Sequence, residues 1–256
     1  AYRAAGVTRL SVGVQSFNDR HLQAIGRVHS SQQARAALEE AARVFETFNL
    51  DLMYALPGQT LHELEADVRA ALAWAPPHLS IYHLSIEAGT HFAKRPPALP
   101  DEDTAWDMLD ALTRLTAEAG LPRYEVSAYA RSPAHQCVHN LNYWQFGDYL
   151  GIGAGAHAKI SFPQRVVRQS RLKNPQLYME RALAGYAVAE ENDVPRADLP
   201  FEYMLGALRL REGFDLADYT ARTGQPISAI AALLEQAAQK GWIERRGSHI
   251  RPTPKG

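Results

Sequence analysis

Leu50-Asp51-Leu52-Met53-Tyr54-Ala55-Leu56-Pro57-Gly58-Gln59-Thr60-Leu61-His62-Glu63-Leu64 holds a strand, a stop and a helix start in one short stretch. Leu50 to Leu56 is an apolar run of strand length, and Pro57-Gly58 cannot continue it. Thr60 and Glu63 have the spacing of a capping box, in which each side chain satisfies the other residue's backbone amide. Leu64, Val68, Ala71 and Leu72 then keep one face of the helix that follows. The stretch is one β-α unit.

The unit repeats on both sides. Upstream, Leu10, Val12 and Val14 alternate with Ser11 and Gly13 in a strand ending near Gln15, and Ser30 with Gln33 caps a helix carrying Ala34, Leu38, Ala41, Phe45 and Phe48. Downstream, Pro76-Pro77 precedes a third strand, Leu79 to Ile86. A helix from about Asp103 to Ala119 shows Met108, Leu112, Leu115 and Ala119 on one face, and a fourth strand is expected around Tyr124 to Ala128. This order predicts an α/β fold with roughly three or four parallel strands, an incomplete β/α barrel.

After Trp144 the period is lost. Residues 165–198 are mixed and polar, with a helix expected at Pro175 to Ala184, and Pro195 and Pro200 mark a boundary. Three short helices follow, near Phe201 to Arg209, Leu216 to Thr223 and Ile227 to Lys240. Trp242-Ile243-Glu244 then pairs with Ile250 across an Arg246-Gly247-Ser248 turn. The organisation expected is a partial barrel over 1–164, a connecting segment over 165–198 and a small, mainly helical, winged-helix-like domain over 199–256.

Composition narrows the function. The 256 residues carry a net charge of −1, no basic field of the sort that drives non-specific nucleic-acid binding. The last predicted helix offers Ser228, Glu235, Gln236 and Gln239 rather than arginines, so a lid or docking role is expected there, not base readout. One cysteine, Cys137, excludes an intrachain disulfide framework, and no apolar run approaches the ~20 residues needed to cross a bilayer. A reducing, cytoplasmic setting fits, with membrane association only through partners.

Ligands of parallel barrels sit at the C-terminal ends of strands. Gln15 and Asp51 fall at or near two such ends and could hydrogen-bond ribose hydroxyls, or simply cap loops. Arg27 could pair with a carboxylate in bidentate fashion. His139-Asn140-Leu141-Asn142-Tyr143-Trp144 places an imidazole beside an aromatic wall, a combination suited to a planar iron cofactor. On the residues alone, His139 could equally cap the loop and Trp144 could be core. Gly151-Ile152-Gly153-Ala154-Gly155-Ala156-His157 is weak evidence for a phosphate site, because a strand-turn-helix context is missing.

Tyr124-Glu125-Val126-Ser127-Ala128-Tyr129-Ala130 and the continuous run Cys137 to His157, with Gly13-Val14-Gln15-Ser16-Phe17, Asp51 to Thr60 and the C-terminal tail, resemble the HemW heme chaperones. These are the oxygen-independent coproporphyrinogen III oxidase-like branch of the radical S-adenosylmethionine (SAM) proteins. The resemblance implies a radical SAM partial barrel with a HemN-like C-terminal domain, and carries the family's SAM contacts onto Gln15, Arg27 and Asp51. His83, in Tyr82-His83-Leu84, matches the strand that flanks the adenine.

The H-N-x-x-Y-W motif is associated with heme in that group, which makes His139 the expected iron ligand and Tyr143 and Trp144 the pocket wall. His157 and Cys137 are the next candidates, and Ala158 stands where relatives often have glycine. The implied function is a chaperone that binds heme and passes it to acceptor hemoproteins, such as respiratory ones. The alternative is a coproporphyrinogen III oxidase that decarboxylates propionates by radical chemistry. Both bind SAM and a tetrapyrrole, so the site residues barely separate a chaperone from an enzyme. The family's four-iron four-sulfur cluster needs a C-x-x-x-C-x-x-C loop. With one cysteine, this chain is expected to lack an N-terminal part of about three β-α units, on the order of 100 residues at ~30 per unit, and the cluster to exist in the full-length protein only.

Overall fold

The computed structural model describes residues 1–256, apart from the side chain of His91. Two compact units divide the chain, Ala1–Gln136 and Cys137–Gly256.

In the first unit, β1 (Arg9–Gln15), α1 (Asp19–Ala24), α2 (Ser31–Val44), β2 (Thr47–Tyr54), α3 (Leu61–Leu72) and β3 (His78–His83) run in the alternating order that the periodicity predicts. Both capping boxes form: the Ser30 hydroxyl accepts from the Gln33 amide while Gln33 accepts from the Ser30 amide, and Thr60 and Glu63 do the same. Strands β1, β2 and β3 are parallel with β2 central. Successive side chains on a strand point to opposite faces. Val14, Leu50, Leu52, Leu79 and Ile81 therefore meet Leu38 of α2 and Leu64 and Val68 of α3 in one core, joined by Met108 and Leu112 from the long helix that comes after β3. Ser11, Asn49, Asp51, His78 and Ser80 take the opposite face.

The short α4 (His91–Lys94) and that long helix, α5 (Glu102–Glu118), lead to the last strands of this sheet. The stretch expected as one fourth strand is instead two, β4 (Arg123–Glu125) and β5 (Ala128–Ala130), broken where Ser127 adopts φ 81°. The order is β1-β2-β3-β5-β4, and β5 runs antiparallel to both neighbours. Three strands are thus parallel, and the reversal follows from a turn too short for a crossover connection.

The second unit opens with α6 (Val138–Trp144). Its next part is a three-stranded antiparallel sheet, β6 (His157–Ser161), β7 (Val166–Arg171) and β8 (Val188–Asp193), with α7 (Pro175–Leu183) between β7 and β8. Periodicity did not reveal this sheet. Every residue of β8 is exposed, so no buried face imposes an apolar alternation on Val188-Ala189-Glu190-Glu191-Asn192-Asp193. Helices α8 (Leu199–Ala207), α9 (Leu216–Thr223) and α10 (Ala231–Gln239) then pack with β9 (Phe214–Asp215), β10 (Ile243–Arg246) and β11 (His249–Pro252). The β10–β11 hairpin pairs Arg245 with Ile250, and β9 adds to its other side, completing the winged-helix-like outline. Phe146, Tyr203, Phe214, Tyr219, Leu234 and Ile250 share the core of this unit.

Candidate functional site

The expected SAM residues lie in the first unit, and the expected heme residues in the second. On the polar face of the parallel sheet, Asp51 stands beside Gly13 and Ser80. It lies within β2 rather than at its end. Both carboxylate oxygens are held: Oδ2 accepts from the Ser11 hydroxyl at 2.9 Å and Oδ1 from the Asn49 side-chain amide at 2.6 Å. A carboxylate can accept about four hydrogen bonds. Two of Asp51's are therefore left for a ligand, and among the described residues no cation neutralises it.

Gln15 ends β1 in the left-handed region, φ 69°, where the pairing register with β2 slips. Its amide folds back over Gly13, so that a Cβ added at Gly13 would stand 2.9 Å from Gln15 Nε2. Ala55, just past the end of β2, is also left-handed, φ 56°. Such backbone costs on the order of 1 kcal/mol or more and clusters where ligands are clamped. Arg27 is exposed with no carboxylate partner among the described residues, a guanidinium open to a ligand.

His83 is placed differently from Asp51. Alternation puts it with Leu79 and Ile81, and its ring meets Tyr54 edge-on at 5.1 Å, so Tyr82 is the residue of that pair sharing Asp51's face. Asn49, His78 and Ser80 were not singled out from the sequence. Their signal was there, in polar residues recurring at every second position of otherwise apolar strands.

In the second unit the H-N-L-N-Y-W run is helical. His139 is exposed, and Tyr143, four residues on, shares its side of α6 with the two rings edge-to-face at 4.5 Å. Tyr149 packs edge-on against Tyr143 at 4.4 Å, and Arg168 donates to the Tyr149 hydroxyl while pairing with Glu202. Burial, reinforced by Tyr149, pushes the Tyr143 hydroxyl above its ordinary pKa, so it stays protonated at neutral pH.

Trp144 is turned about 140° around the helix from His139 at 100° per residue. One face of its ring carries the Arg209 guanidinium at 4.2 Å, and its indole N–H is buried with no acceptor. A cavity of about 220 Å³ lies beside Trp144, walled also by Tyr203, Phe214, Asp218 and Arg222. The motif thus splits in two, an exposed His139 against a half-buried Tyr143 on one side of the helix and a half-buried Trp144 turned away from them.

Helix α6 is anchored at its C-terminal end. Phe146 closes it in the left-handed region, φ 58°. Lys159 on β6 is buried, and its ammonium donates to the Phe146 carbonyl, to Asp148 and to the Ser161 hydroxyl, each at 2.9 Å, while lying 3.9 Å from the centre of the Phe146 ring. Burial lowers the Lys159 pKa, with Asp148 opposing that shift. For Asp148 burial works upward, but bonds from the Ser161 amide, Lys159 and the Ser161 hydroxyl outweigh it and hold the carboxyl below its ordinary range. Gly206 of α8 completes the anchor, since a Cβ there would stand 3.2 Å from the Tyr143 and Trp144 carbonyls.

The glycine segment serves packing. The Gly153 amide donates to the Tyr178 hydroxyl and the Gly155 amide to the Leu172 carbonyl, while Gly151 lets the His157 carbonyl approach closely. Those amides are therefore engaged, His157 is an exposed residue at the start of β6, and Ala158 is buried. Cys137 precedes the first turn of α6, half-buried.

Comparison with known proteins fits this division. The Radical SAM superfamily profile matches residues 1–71 and that of the HemN C-terminal domain residues 194–256. The heme chaperone HemW of Escherichia coli K12 is 42% identical over 257 residues, covering 100% of this chain and 67% of its own length. The chain belongs to the HemW family. Heme chaperone HemW of Haemophilus influenzae is 45% identical, covering 94% of this chain and 62% of its own, and that of Bacillus subtilis is 33% identical, covering 99% and 68%. The chain spans about two thirds of the length of these relatives. Coproporphyrinogen III oxidase (HemN) from E. coli superposes over 99% of the chain and 62% of its own length, with a TM-score of 0.78 at 21% identity, which establishes the shared fold.

A four-iron four-sulfur cluster does not fit the residues present. It takes several thiolates. The chain has one cysteine, and the described residues bring together no group of three or more histidines, cysteines or acids that could hold a metal. No helix among the described residues is long and apolar enough to cross a membrane.

Proposed function

We propose that this chain carries the heme-holding part of a heme chaperone, with His139 supplying an imidazole ligand to the iron and Tyr143 an aromatic wall beside it. The exposed His139 ring, 4.5 Å from that of half-buried Tyr143 on an anchored helix, is the observation that carries this reading. An imidazole at the surface can bind a cargo and release it, as delivery to an acceptor hemoprotein, such as a respiratory one, requires. Trp144 contributes from behind, by holding α6 against α8. A cytoplasmic setting belongs to the same proposal, in keeping with the single cysteine.

On the first unit, Gln15, Arg27 and Asp51 would hold SAM. The Asp51 carboxylate keeps two acceptor positions for a ribose diol, Gln15 adds an amide, and Arg27 is open to a carboxylate. His83 would contribute from the strand end, outside the polar face. These roles rest on the family match and on the open hydrogen-bonding positions just described.

Heme titration of the full-length protein tests the cargo site. His139→Ala should weaken binding and move the Soret band with the fold intact by circular dichroism. A folded variant with unchanged affinity and spectrum would overturn the assignment.

A further inference from the structure

The polar face of the parallel sheet holds a chain of hydrogen bonds that ends on Asp51. Asn49 gives its two amide hydrogens to Asp51 Oδ1, at 2.6 Å, and Ser11 Oγ, at 2.7 Å. Because Asp51 only accepts, this orients the Asn49 amide: its oxygen must point away, toward His78. That oxygen lies 2.6 Å from His78 Nδ1 and accepts from the Ser80 hydroxyl at 3.1 Å. His78 Nδ1 therefore carries the ring proton, and Nε2, 2.9 Å from the Tyr124 hydroxyl, accepts from it. Burial above all, aided by the positive charge of Arg9 and by His135, pushes His78 down to about 3, so its ring is neutral and this single tautomer persists at physiological pH.

We propose that Asn49 and His78, backed by Tyr124, are positioning residues that hold the Asp51 carboxylate in the orientation in which it receives the vicinal diol of a ribose. The inference rests on the reading of Asp51 as a SAM ligand. Its physical content is directional. With one oxygen tied to Ser11 and the other to Asn49, the carboxylate plane cannot rotate, and the two remaining acceptor positions keep fixed directions. Ser11 is itself held by Asn49, so loss of the Asn49 amide frees both ties. His78 acts one step further out, by keeping the Asn49 oxygen engaged. Tyr124 acts two steps out, by selecting the tautomer.

The test is SAM affinity, by calorimetry on the full-length protein, alongside affinity for a SAM analogue lacking both ribose hydroxyls and the melting temperature without ligand. Asp51→Ala and Asn49→Leu should each weaken SAM binding by about tenfold or more, the scale of a hydrogen bond to a charged group. His78→Phe should weaken it severalfold. His78→Asn, whose amide can replace the Nδ1–H donor, should restore it to near wild type. The analogue should bind wild type and variants alike, because it has no diol to receive. Tyr124→Phe removes one hydroxyl and keeps the ring, so it remains informative if His78→Phe fails to fold; it should weaken SAM but not the analogue.

If Asp51→Ala binds SAM as wild type does, the reading of Asp51 fails and the positioning role with it. If Asp51→Ala loses affinity while folded Asn49 and His78 variants keep it, positioning alone is overturned. Equal losses for SAM and the analogue would show a merely structural role and overturn it too.

Discussion

The Lys159–Asp148 pair makes an asymmetric prediction. Its two ends differ in solvent access: the Lys159 side chain is 2% exposed and that of Asp148 46%. Replacing Lys159 with Met keeps most of the buried aliphatic volume. It leaves a carboxylate that water can reach and that still accepts from the Ser161 amide and hydroxyl. The Phe146 carbonyl loses a donor, so the net cost should be about 1 kcal/mol, since replacing a buried ion by a hydrophobe of similar size is often close to neutral. Asp148→Ala strands a buried ammonium without its counter-ion. Breaking a buried pair from one side costs roughly 3–5 kcal/mol, and the lower end applies because the Phe146 carbonyl and Ser161 hydroxyl remain.

The expected order is thus Asp148→Ala well above Lys159→Met, by about 2 kcal/mol. Urea denaturation monitored by tryptophan fluorescence measures it. Hydrogen exchange of the α6 amides should show the same order, because the pair closes the end of that helix. Equal losses, or a larger loss for Lys159→Met, would refute the reasoning. The pH dependence has a definite sign. Asp148 titrates below its ordinary 3.8 when folded, so its contribution is complete above 3.8 and is lost as pH falls through the lowered value.

Three further outcomes are expected. Gly206→Ala should cost about 1–3 kcal/mol by thermal denaturation, because the new Cβ meets the Tyr143 and Trp144 carbonyls, which are backbone and cannot rotate away; an unchanged melting temperature would show that α8 shifts freely. Between pH 6.5 and about 3, His78 takes up its proton in the unfolded chain only, so stability should fall toward acid by up to about 1.4 kcal/mol per pH unit, and His78→Phe should flatten that slope in paired urea titrations. Trp144→Phe keeps a ring for Arg209 and removes a buried N–H that has no acceptor, so it should leave stability within about 1 kcal/mol of wild type, and a large loss would mean that this N–H is satisfied in solution.

Features that depend on neighbours along the chain were legible from residue order alone. Capping boxes at Ser30 and Thr60, the apolar stripes of α2, α3 and α5, the stop at Pro57-Gly58 and the β10–β11 turn are set by residues within one or two helical turns of each other, and they formed where the spacing placed them, except that α2 ends at Val44, leaving Phe45 as its cap and Phe48 in β2. The family signature, a continuous run from Cys137 to His157, was legible for the same reason. Tertiary structure decided what depends on distant partners. A strand such as β8, with no buried face, exists only because β7 supplies hydrogen bonds, and the antiparallel pairing of β5 beside β3 is chosen by the sheet edge it meets. Asp51 was visible as a lone acid, but its oxygens are tied to Ser11, 40 positions away, and to Asn49, whose own oxygen meets His78, 27 positions from Asp51, a set brought together by parallel pairing. Helical pitch separated Trp144 from His139, while its burial was set by α8, whose Gly206 no local pattern connects to the motif. Side-chain type and spacing act locally; hydrogen-bond partners and burial are properties of contacts, which the chain acquires only on folding.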